Sequence, residues 1–243
     1  QSIDMGWGRL FGGQLLAQSL AAGQKYTDMG DIHSLHAHFL EMGDVNVPVE
    51  YRVIPVRKGR SYQSIRVEAH QHSRIIFHSF LSFQKEETGV SHFQEMPVVP
   101  QPEELMSYQE RLKQMVAADE EGYRKRFSPL WHQRLTQSPP IEVRPIKPFN
   151  FMYPNTRDPD RLLWFRASQR LDDDPCLHQR VVTWASDFPM LGTALQPSNI
   201  PPPAQKIKMA SLDHTIWFYA PFRADEWLLC HINSPRSGQG RGL

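Results

Sequence analysis

Apolar positions along the chain repeat at two spacings, and each spacing predicts a different element. Helical spacing with few helix breakers predicts helices over residues 12–23, 103–127 and 175–195. Partial alternation in segments rich in Ile, Val, Phe and Tyr predicts antiparallel strands over residues 61–68, 74–84 and 162–171. Because a helix packed on an antiparallel sheet buries the apolar faces of both, the pattern predicts an α+β protein.

Two stretches of the chain resemble each other. His33-Ser34-Leu35 is followed 24 positions later by Arg57, and His214-Thr215-Ile216 is followed 22 positions later by Arg236. Each stretch follows a predicted helix, which indicates an internal duplication. Chance similarity between short motifs is the alternative.

The duplication predicts how the chain is divided. An N-terminal unit over residues 1–95 and a C-terminal unit over residues 149–243 flank a proline-rich, partly helical connector over residues 96–148. The second repeat has few residues after its arginine, so we expect the final strands of its sheet to lie beyond residue 243.

Charge and composition narrow the class of protein. Lysine and arginine total 27 and aspartate and glutamate total 26, a formal net charge of +1, which argues against a nucleic-acid-binding protein. The 40% hydrophobic content supports a buried core. No apolar run approaches the roughly 20 residues that a membrane span needs. Cys176 and Cys230 form no CxxC pair, which favours a reducing compartment.

Several catalytic motifs are absent from the sequence, namely GxSxG, HExxH and the P-loop. His36 and His38 alternate on a predicted strand, as do His70 and His72. No third type of ligand lies near either pair in sequence, so we expect no metal site. Glycines at 6, 8, 12 and 13 precede the first helix. They indicate either a loop that leads into the helix or helix-start amides that bind a ligand oxygen.

Asp187 is the acidic residue whose position points most directly to chemistry. On the predicted third helix it lies three residues after Trp184, on the apolar stripe that continues through Phe188 and Leu191. A carboxylate that faces a core is costly unless it is paired, protonated or functional. A structural carboxylate with local hydrogen bonds and a functional one both remain open. Asp174, just before Pro175, is predicted to cap the same helix.

A series of ordered motifs carries a resemblance to a known family. They are Phe11-Gly12-Gly13-Gln14, His33-Ser34-Leu35-His36, Arg57-Lys58-Gly59-Arg60-Ser61, Trp184-Ala185-Ser186-Asp187, Ala194-Leu195-Gln196-Pro197 and Ser211-Leu212-Asp213-His214. Together they cover nearly the whole chain and resemble the acyl-CoA thioesterase II (TesB-like) family. The resemblance implies a double hot-dog fold, two tandem units in which an antiparallel sheet wraps a long helix. The second unit is expected to be incomplete at its carboxyl end.

The resemblance also implies an activity and a set of site residues. The activity is hydrolysis of acyl-CoA thioesters to free fatty acid and CoA by an activated water, with no cofactor. The family's catalytic aspartate and hydroxyl residue match Asp187 and Ser211, and its catalytic glutamine is expected beyond Leu243. His33 matches a histidine that is a further candidate.

The basic turn at Arg57, Lys58 and Arg60 is a candidate for binding the phosphates of CoA, and a turn kept basic for solubility is the alternative. Two other functions stay open at this point. One is a hydratase or dehydratase that acts on an acyl thioester through strand histidines, and the other is a non-catalytic acyl-CoA-binding protein. We expect a homo-oligomer located in the cytoplasm, or in peroxisomes if the source is eukaryotic.

Overall fold

The computed structural model describes residues 8–126, 138–147, 158–188, 190–198 and 209–243. The chain divides into two compact units. The first is built from the segments Gln1–Met96, Asp172–Asp187 and Ser211–Arg223, and the second from Pro97–Leu171, Phe188–Ala210 and Ala224–Leu243. Each unit combines helices with an antiparallel sheet, so the predicted α+β class is confirmed.

The first unit contains a five-stranded antiparallel sheet and two helices. The strands are β1 (Asp31–Phe39), β2 (Glu50–Lys58), β3 (Tyr62–Gln71), β4 (Arg74–Gln84) and β7 (Asp213–Trp217), in the order β2-β3-β4-β1-β7. The helices are α1 (Gly12–Tyr26) and α4 (Pro175–Ser186). The two histidine-bearing stretches that resemble each other are therefore neighbours, since they form β1 and β7.

Helix α1 packs on one face of this sheet through leucines at helical spacing. Leu16 and Leu20 are fully buried and share a core with Leu35, Val67 and Phe77 from three strands. Along β3, buried and partly exposed residues alternate, as the two-residue period of a strand requires. Helix and sheet thereby bury each other's apolar faces, which is the arrangement that the sequence pattern predicts.

The loop between β1 and β2 is held by one buried amide side chain. Gln71 Oε1 accepts a hydrogen bond from the Asp44 N–H at 2.9 Å, and its Nε2 donates to the carbonyls of Asp44 and Val47 at 2.9 and 2.7 Å. Gln71 ends β3, just before His72 and Ser73, which both have positive φ angles, of 47° and 63°. Two consecutive positive φ angles are typical of a tight type I′ hairpin.

The second unit has a smaller sheet. Its three antiparallel strands run in the order β5 (Ile141–Pro145), β6 (Asp160–Ala167) and β8 (Leu228–Asn233), and β9 (Ser237–Gly238) pairs with β10 (Arg241–Gly242). Its helices are α2 (Tyr108–Ala118), α3 (Glu120–Arg126) and α5 (Met190–Leu195), with 3-10 segments at Pro102–Glu104 and Gln196–Ser198. Over the described ranges, no helix combines the length and the apolar character needed to cross a membrane.

Two of the three predicted helices are each divided in the structure. The single helix predicted over residues 103–127 is α2 and α3, separated at Asp119, whose φ and ψ of −148° and 66° are not helical. Asp119 Oδ1 accepts a hydrogen bond from the Gly122 N–H, so it begins the next helix. The helix predicted over residues 175–195 ends at Ser186 and resumes as α5. Proline at 189, which lies outside the described residues, disfavours helical geometry just before it.

The strand predictions hold with shifted ends, because β3 extends to Gln71 and β6 stops at Ala167. The division of the chain at 1–95, 96–148 and 149–243 stays a prediction, as does the superposition of two duplicated halves.

Candidate active site

Asp187 lies directly after the last residue of α4, where it is buried. The helix begins at Asp174, as predicted, because the Asp174 carboxylate accepts a hydrogen bond from the Cys176 N–H at 2.9 Å. At the other end, Asp187 keeps helical angles, φ −81° and ψ −10°, and is 8% exposed. Phe188 turns outward and is exposed. The apolar stripe predicted that Asp187 and Phe188 face the core together, and this prediction is wrong for Phe188. The stripe also included Leu191, whose side chain lies outside the described residues.

Two donors from other segments hold the Asp187 carboxylate. The Ser211 hydroxyl donates to Asp187 Oδ1 at 2.9 Å. The backbone N–H of Gly13, in the first turn of α1, also donates to this carboxylate. Phe11, the N-cap residue of α1, supplies no side-chain cap. Asp187 thus satisfies a helix-start amide that would otherwise need another partner, and the positive end of the helix dipole favours its charge.

The two glycines at the start of α1 allow this close approach. A Cβ at Gly12 would lie 2.6 Å from Asp187 Oδ2 and 2.9 Å from the Phe39 ring. A Cβ at Gly13 would lie 2.3 Å from the carbonyl oxygen of Trp184. Contacts under 3.0 Å require something to move, and at Gly13 the obstacle is the backbone of α4, so only glycine fits there without displacing α4. The Gly13 N–H donates to the Asp187 carboxylate. One of the two interpretations of the glycine cluster was that such helix-start amides bind a ligand oxygen, and at Gly13 the acceptor is instead a side chain of the protein.

Burial raises the pKa of Asp187 from its ordinary value of 3.8 to about 6. The hydrogen bonds from Ser211 and from Gly13 favour the charged form and oppose this shift. A carboxylate with a pKa near 6 is ionised at neutral pH and is a stronger base than an exposed aspartate. Its environment thus matches what a general base requires.

Strand pairing brings Ser211 to this position. The Phe39 N–H at the end of β1 donates to the Leu212 carbonyl at 2.9 Å, and Ala37 pairs with His214 across β1 and β7. The segment that starts β7 therefore passes beside the end of α4. Ser211 and Asp187 are 24 positions apart in sequence and become hydrogen-bond partners through this pairing.

His214 also faces Asp187. His214 Nδ1 is 4.0 Å from Asp187 Oδ1, and His214 Nε2 is 3.0 Å from the hydroxyl of Ser186. Burial lowers the pKa of His214, while the charge of Asp213 opposes that effect. Sequence reasoning gave the repeated histidines His33 and His214 a structural role, with catalysis by one of them as the alternative, and it missed Ser186. Both residues could have been found from the sequence, because Ser186 directly precedes Asp187 in one family motif and His214 ends the motif that begins with Ser211.

His33 lies at the opposite end of β1 from the site. It is six residues before Phe39, a separation of about 20 Å at the usual rise of a strand. Its Nε2 is 2.8 Å from the Ser82 hydroxyl, and its ring packs edge-on against Tyr62. Burial lowers its pKa. The structure does not bring His33 to Asp187.

The basic turn lies at that same distant end. Across the sheet, Lys58 of β2 pairs with Gln63 of β3, and Gln63 pairs with Phe83 of β4. Phe83 pairs in turn with Ile32 of β1, the neighbour of His33. Lys58 Nζ forms an exposed ion pair with Asp28 at 2.7 Å, two residues beyond the end of α1. Arg57 and Arg60 flank Lys58 in this turn and are exposed. None of the three is adjacent to Asp187.

The histidine pairs on the strands make other contacts. His36 packs edge-on against Trp217, and the rings of His38 and His78 lie 5.2 Å apart. In the part of the chain that the structure describes, no three His, Cys, Asp or Glu side chains are grouped so that they could hold a metal ion.

Comparison with known proteins identifies the class that this fold and this site define. Residues 2–84 match the model of the acyl-CoA thioesterase N-terminal domain, and residues 140–243 match the acyl-CoA thioesterase model. Acyl-coenzyme A thioesterase 8 of Homo sapiens is 37% identical over 239 residues, covering 97% of this chain and 73% of that protein. Acyl-CoA thioesterase 2 of Haemophilus influenzae is 34% identical over 245 residues, covering 100% of this chain and 82% of that protein.

Solved structures agree with these matches. The acyl-CoA thioesterase II TesB2 from Mycobacterium marinum has a TM-score of 0.74 and 32% identity, covering 96% of this chain and 79% of that one. A hot dog fold protein from Alicyclobacillus acidocaldarius has a TM-score of 0.70 at 18% identity, with 96% and 78% covered, and supports the fold alone. The predicted hot-dog fold is confirmed. The chain belongs to the acyl-CoA thioesterase family.

Proposed function

We propose that this protein hydrolyses acyl-CoA thioesters to free fatty acid and CoA. The observation that carries the proposal is the buried Asp187 carboxylate, whose pKa of about 6 is combined with a hydrogen bond from Ser211. Membership of the acyl-CoA thioesterase family, and relatives that are named for this activity at 34–37% identity, support it.

The chemistry follows from the two side chains. Asp187 accepts one proton from a water molecule, and the resulting hydroxide attacks the thioester carbonyl carbon. The Ser211 hydroxyl donates its hydrogen to Asp187 Oδ1, which orients the carboxylate and favours its charged form. The new C–O bond forms, the C–S bond breaks, and the CoA thiolate takes up the proton. No acyl-enzyme intermediate is needed.

Release of free thiol tests the proposal against its alternatives. The protein is expected to liberate CoA thiol from a medium-chain acyl-CoA, which a thiol-reactive dye detects. A hydratase or dehydratase changes the acyl chain and leaves the thioester intact. A non-catalytic binding protein gives neither change. An absence of thiol release with the intact protein over a range of chain lengths would end the proposal.

Replacing Ser211 by alanine is expected to weaken hydrolysis and to move its pH profile. The hydrogen bond from Ser211 lowers the pKa of Asp187, so its loss raises that pKa further above 6. The acidic limb of kcat/KM should shift to higher pH, and the rate at neutral pH should fall roughly tenfold. Ser211→Thr keeps a hydroxyl and serves as the matched control. Unchanged profiles in Ser211→Ala would remove Ser211 from the site.

A groove runs along α1 away from Asp187 and suggests where the CoA portion binds. Its volume is about 670 Å³, within the roughly 300–1,000 Å³ typical of small-molecule sites. One face of α1, the β1–β2 loop and β2 line it. The lining residues are Gln14, Gln18, Ala21, Ala22, Lys25, Val45, Asn46, Val47, Pro48, Val49 and Tyr51.

The lining of the groove fits a pantetheine arm. Gln14 follows Gly13, whose N–H binds Asp187, and Lys25 lies 11 residues later, about 16 Å along the helix. Three side-chain amides, from Gln14, Gln18 and Asn46, can bond the two amides of pantetheine, while alanines and valines cover its methylene and methyl groups. Lys25, which is exposed, supplies a positive charge for a phosphate at the far end.

The basic turn supports the same orientation of CoA. The ion pair between Lys58 and Asp28 places Arg57, Lys58 and Arg60 near the carboxyl end of α1, which is also the end that carries Lys25. We retain these three residues as candidates for the nucleotide phosphates.

Reversing the charge of Lys25 tests this orientation. Lys25→Glu is expected to raise KM for acyl-CoA roughly three- to tenfold and to leave kcat nearly unchanged, because a phosphate contact is lost far from the reacting bond. The same acyl group carried on pantetheine without phosphate should show no change in KM. Lys113→Glu on α2 makes the same charge change on an exposed residue outside the groove. An equal rise of KM for both substrates, or no rise at all, would contradict the assignment.

We also retain the proposals of a homo-oligomer and of a cytoplasmic location, with peroxisomes as the alternative. Support for an oligomer is the outer edge of β2, which ends the five-stranded sheet of the first unit and can pair with another strand. The molar mass in solution tests it, and a monomer at working concentrations would refute it. A yeast relative at 24% identity is named as peroxisomal. Fluorescence microscopy of the tagged protein distinguishes the two compartments.

A further inference from the structure

The hydrogen-bond partners of Ser186 determine which nitrogen of His214 carries the proton. Ser186 Oγ lies 2.9 Å from the Thr183 carbonyl and 3.0 Å from His214 Nε2. A carbonyl oxygen can only accept, so the single hydroxyl hydrogen of Ser186 goes to Thr183. The Ser186 oxygen must then accept from His214, and neutral His214 is protonated on Nε2. Its other nitrogen, Nδ1, presents a bare lone pair.

This Nδ1 lies near the Asp187 carboxylate. His214 Nδ1 and Asp187 Oδ1 are 4.0 Å apart, which is too far for a direct hydrogen bond. A water 2.8 Å from both atoms would make an angle of about 90° with them, close to the angle between the two hydrogens of water. Asp187 Oδ1 has room for this water beside the hydrogen bond from Ser211, because a carboxylate oxygen accepts more than one.

We propose that His214 is a further catalytic residue, whose Nδ1 accepts the second hydrogen of the water that Asp187 deprotonates. This inference rests on the hydrolysis proposed above. One hydrogen of the water goes to Asp187 as a proton, and the other stays on the oxygen, bonded to His214. With both hydrogens directed, a lone pair of the oxygen points away from the protein pair toward the thioester carbon, which fixes the direction of attack.

Neutrality of His214 is required for this role, and its surroundings favour it. Asp187, at the end of α4, and Asp213, the preceding residue in β7, are the carboxylates near it. Its strand partner on β1 is Ala37, and the start of α1 has the glycines Gly12 and Gly13, so the residues at these positions are not titratable; His36 and His38 flank Ala37 and alternate to the other face of the strand. Burial outweighs the opposing effect of Asp213 and lowers the pKa of His214, so the ring is neutral at pH 7.

Removing the acceptor tests the proposal directly. His214→Phe keeps an aromatic ring and offers no lone pair, so kcat for acyl-CoA hydrolysis should fall roughly 10- to 100-fold with little change in KM. Wild-type kcat in a folded His214→Phe protein would overturn the inference. Wild-type protein that releases no thiol would instead refute the underlying hydrolysis, so the two failures are distinguishable.

A second variant gives a readout that a purely structural histidine would not move. In Ser186→Ala, Nε2–H loses its acceptor, and the tautomer with the proton on Nδ1 is favoured by its attraction to the Asp187 carboxylate 4.0 Å away. Nδ1 then no longer accepts from the water, so kcat should fall several-fold. The acidic limb of the pH profile should move to lower pH, because the positive end of the Nδ1–H dipole then lies near the Asp187 carboxylate and favours its charged form.

Ser198→Ala is the matched control for this variant. The Ser198 hydroxyl also donates to the carbonyl three residues earlier, that of Leu195; Ser198 is exposed and has no role in this mechanism. Its kcat and pH profile should match those of the wild type. An acidic limb that stays in place in Ser186→Ala would overturn the inference even if His214→Phe failed to fold.

Discussion

Asp187→Asn is expected to reduce acyl-CoA hydrolysis by roughly 10²- to 10⁴-fold, the usual contribution of a positioned general base. Asparagine has the same shape and keeps an oxygen that accepts from Ser211, so the ends of α1 and α4 should still pack. The variant loses basicity, because an amide does not take a proton from water near neutral pH. The loss should appear in kcat, with KM for acyl-CoA nearly unchanged.

The same variant is expected to be more stable than the wild type above pH 6. Because burial raises the pKa of Asp187 to about 6, the folded state favours the protonated form. The stability that the protonated form provides is fully present below about pH 4 and is lost as pH rises through about 6. The rise of the Asp187 pKa from 3.8 to about 6 corresponds to about 3 kcal/mol of stability that the wild type loses on ionisation. Asparagine is neutral at every pH, so the variant does not lose it.

Thermal unfolding at several pH values measures this effect. The difference in melting temperature between Asp187→Asn and the wild type should grow between pH 4 and pH 6 and then level off. Asp172→Asn, which changes an exposed carboxylate before the same helix, should show no such trend. If activity and folding are lost together, Asp187 is a structural carboxylate. A fully active Asp187→Asn protein would exclude it as the base.

Gly13→Ala is expected to damage both the fold and the site. An alanine within a helix normally stabilises it by about 1 kcal/mol relative to glycine. Here the added Cβ would meet the Trp184 carbonyl oxygen at 2.3 Å and the Phe11 ring at 2.5 Å. Since the carbonyl belongs to the backbone of α4, relief requires the two helices to separate. Overpacking of this kind costs about 1–3 kcal/mol, so the usual gain is cancelled or reversed.

Separation of the helices also moves the Gly13 N–H away from Asp187. That hydrogen bond lowers the pKa of Asp187, so its loss should raise the pKa and shift the acidic limb of hydrolysis above pH 6. The rate at neutral pH should fall by about 10²-fold, since small displacements at a catalytic group are costly. Melting temperature and thiol release, recorded on the same samples, give both effects.

Gly89→Ala is the matched control for this substitution. A Cβ at Gly89 meets nothing within 4 Å, and the backbone there does not have a positive φ. We expect unchanged activity and an unchanged melting temperature. If Gly13→Ala behaves like Gly89→Ala, the close packing of α1 against α4 does not constrain the site.

The sequence alone determined the fold class and singled out two candidate site residues. Periodicity gave the first helix and the long β3–β4 hairpin, because apolar spacing reports directly which face of an element is buried. Asp187 was singled out by its place on an apolar stripe and then matched by a family motif, whereas Ser211 was found through a family motif alone. In the structure, Ser211 Oγ lies 2.9 Å from Asp187 Oδ1. The sequence also indicates where α4 ends, because a proline occupies position 189. The apolar stripe nevertheless predicted a longer helix.

Only the tertiary structure decided how the site is assembled. The burial of Asp187, its bond to Gly13 and its 4.0 Å distance from His214 join three segments that are far apart in sequence. The pairing of β1 with β7 brings the start of β7 beside Asp187, and the extended conformation of β1 itself keeps His33 about 20 Å from Phe39. A raised pKa depends on which groups surround a carboxylate after folding. For that reason the pattern of apolar residues along the sequence could single out Asp187 as a candidate. Its burial and its raised pKa, which a general base requires, depend on the packing of α1, α4 and β7.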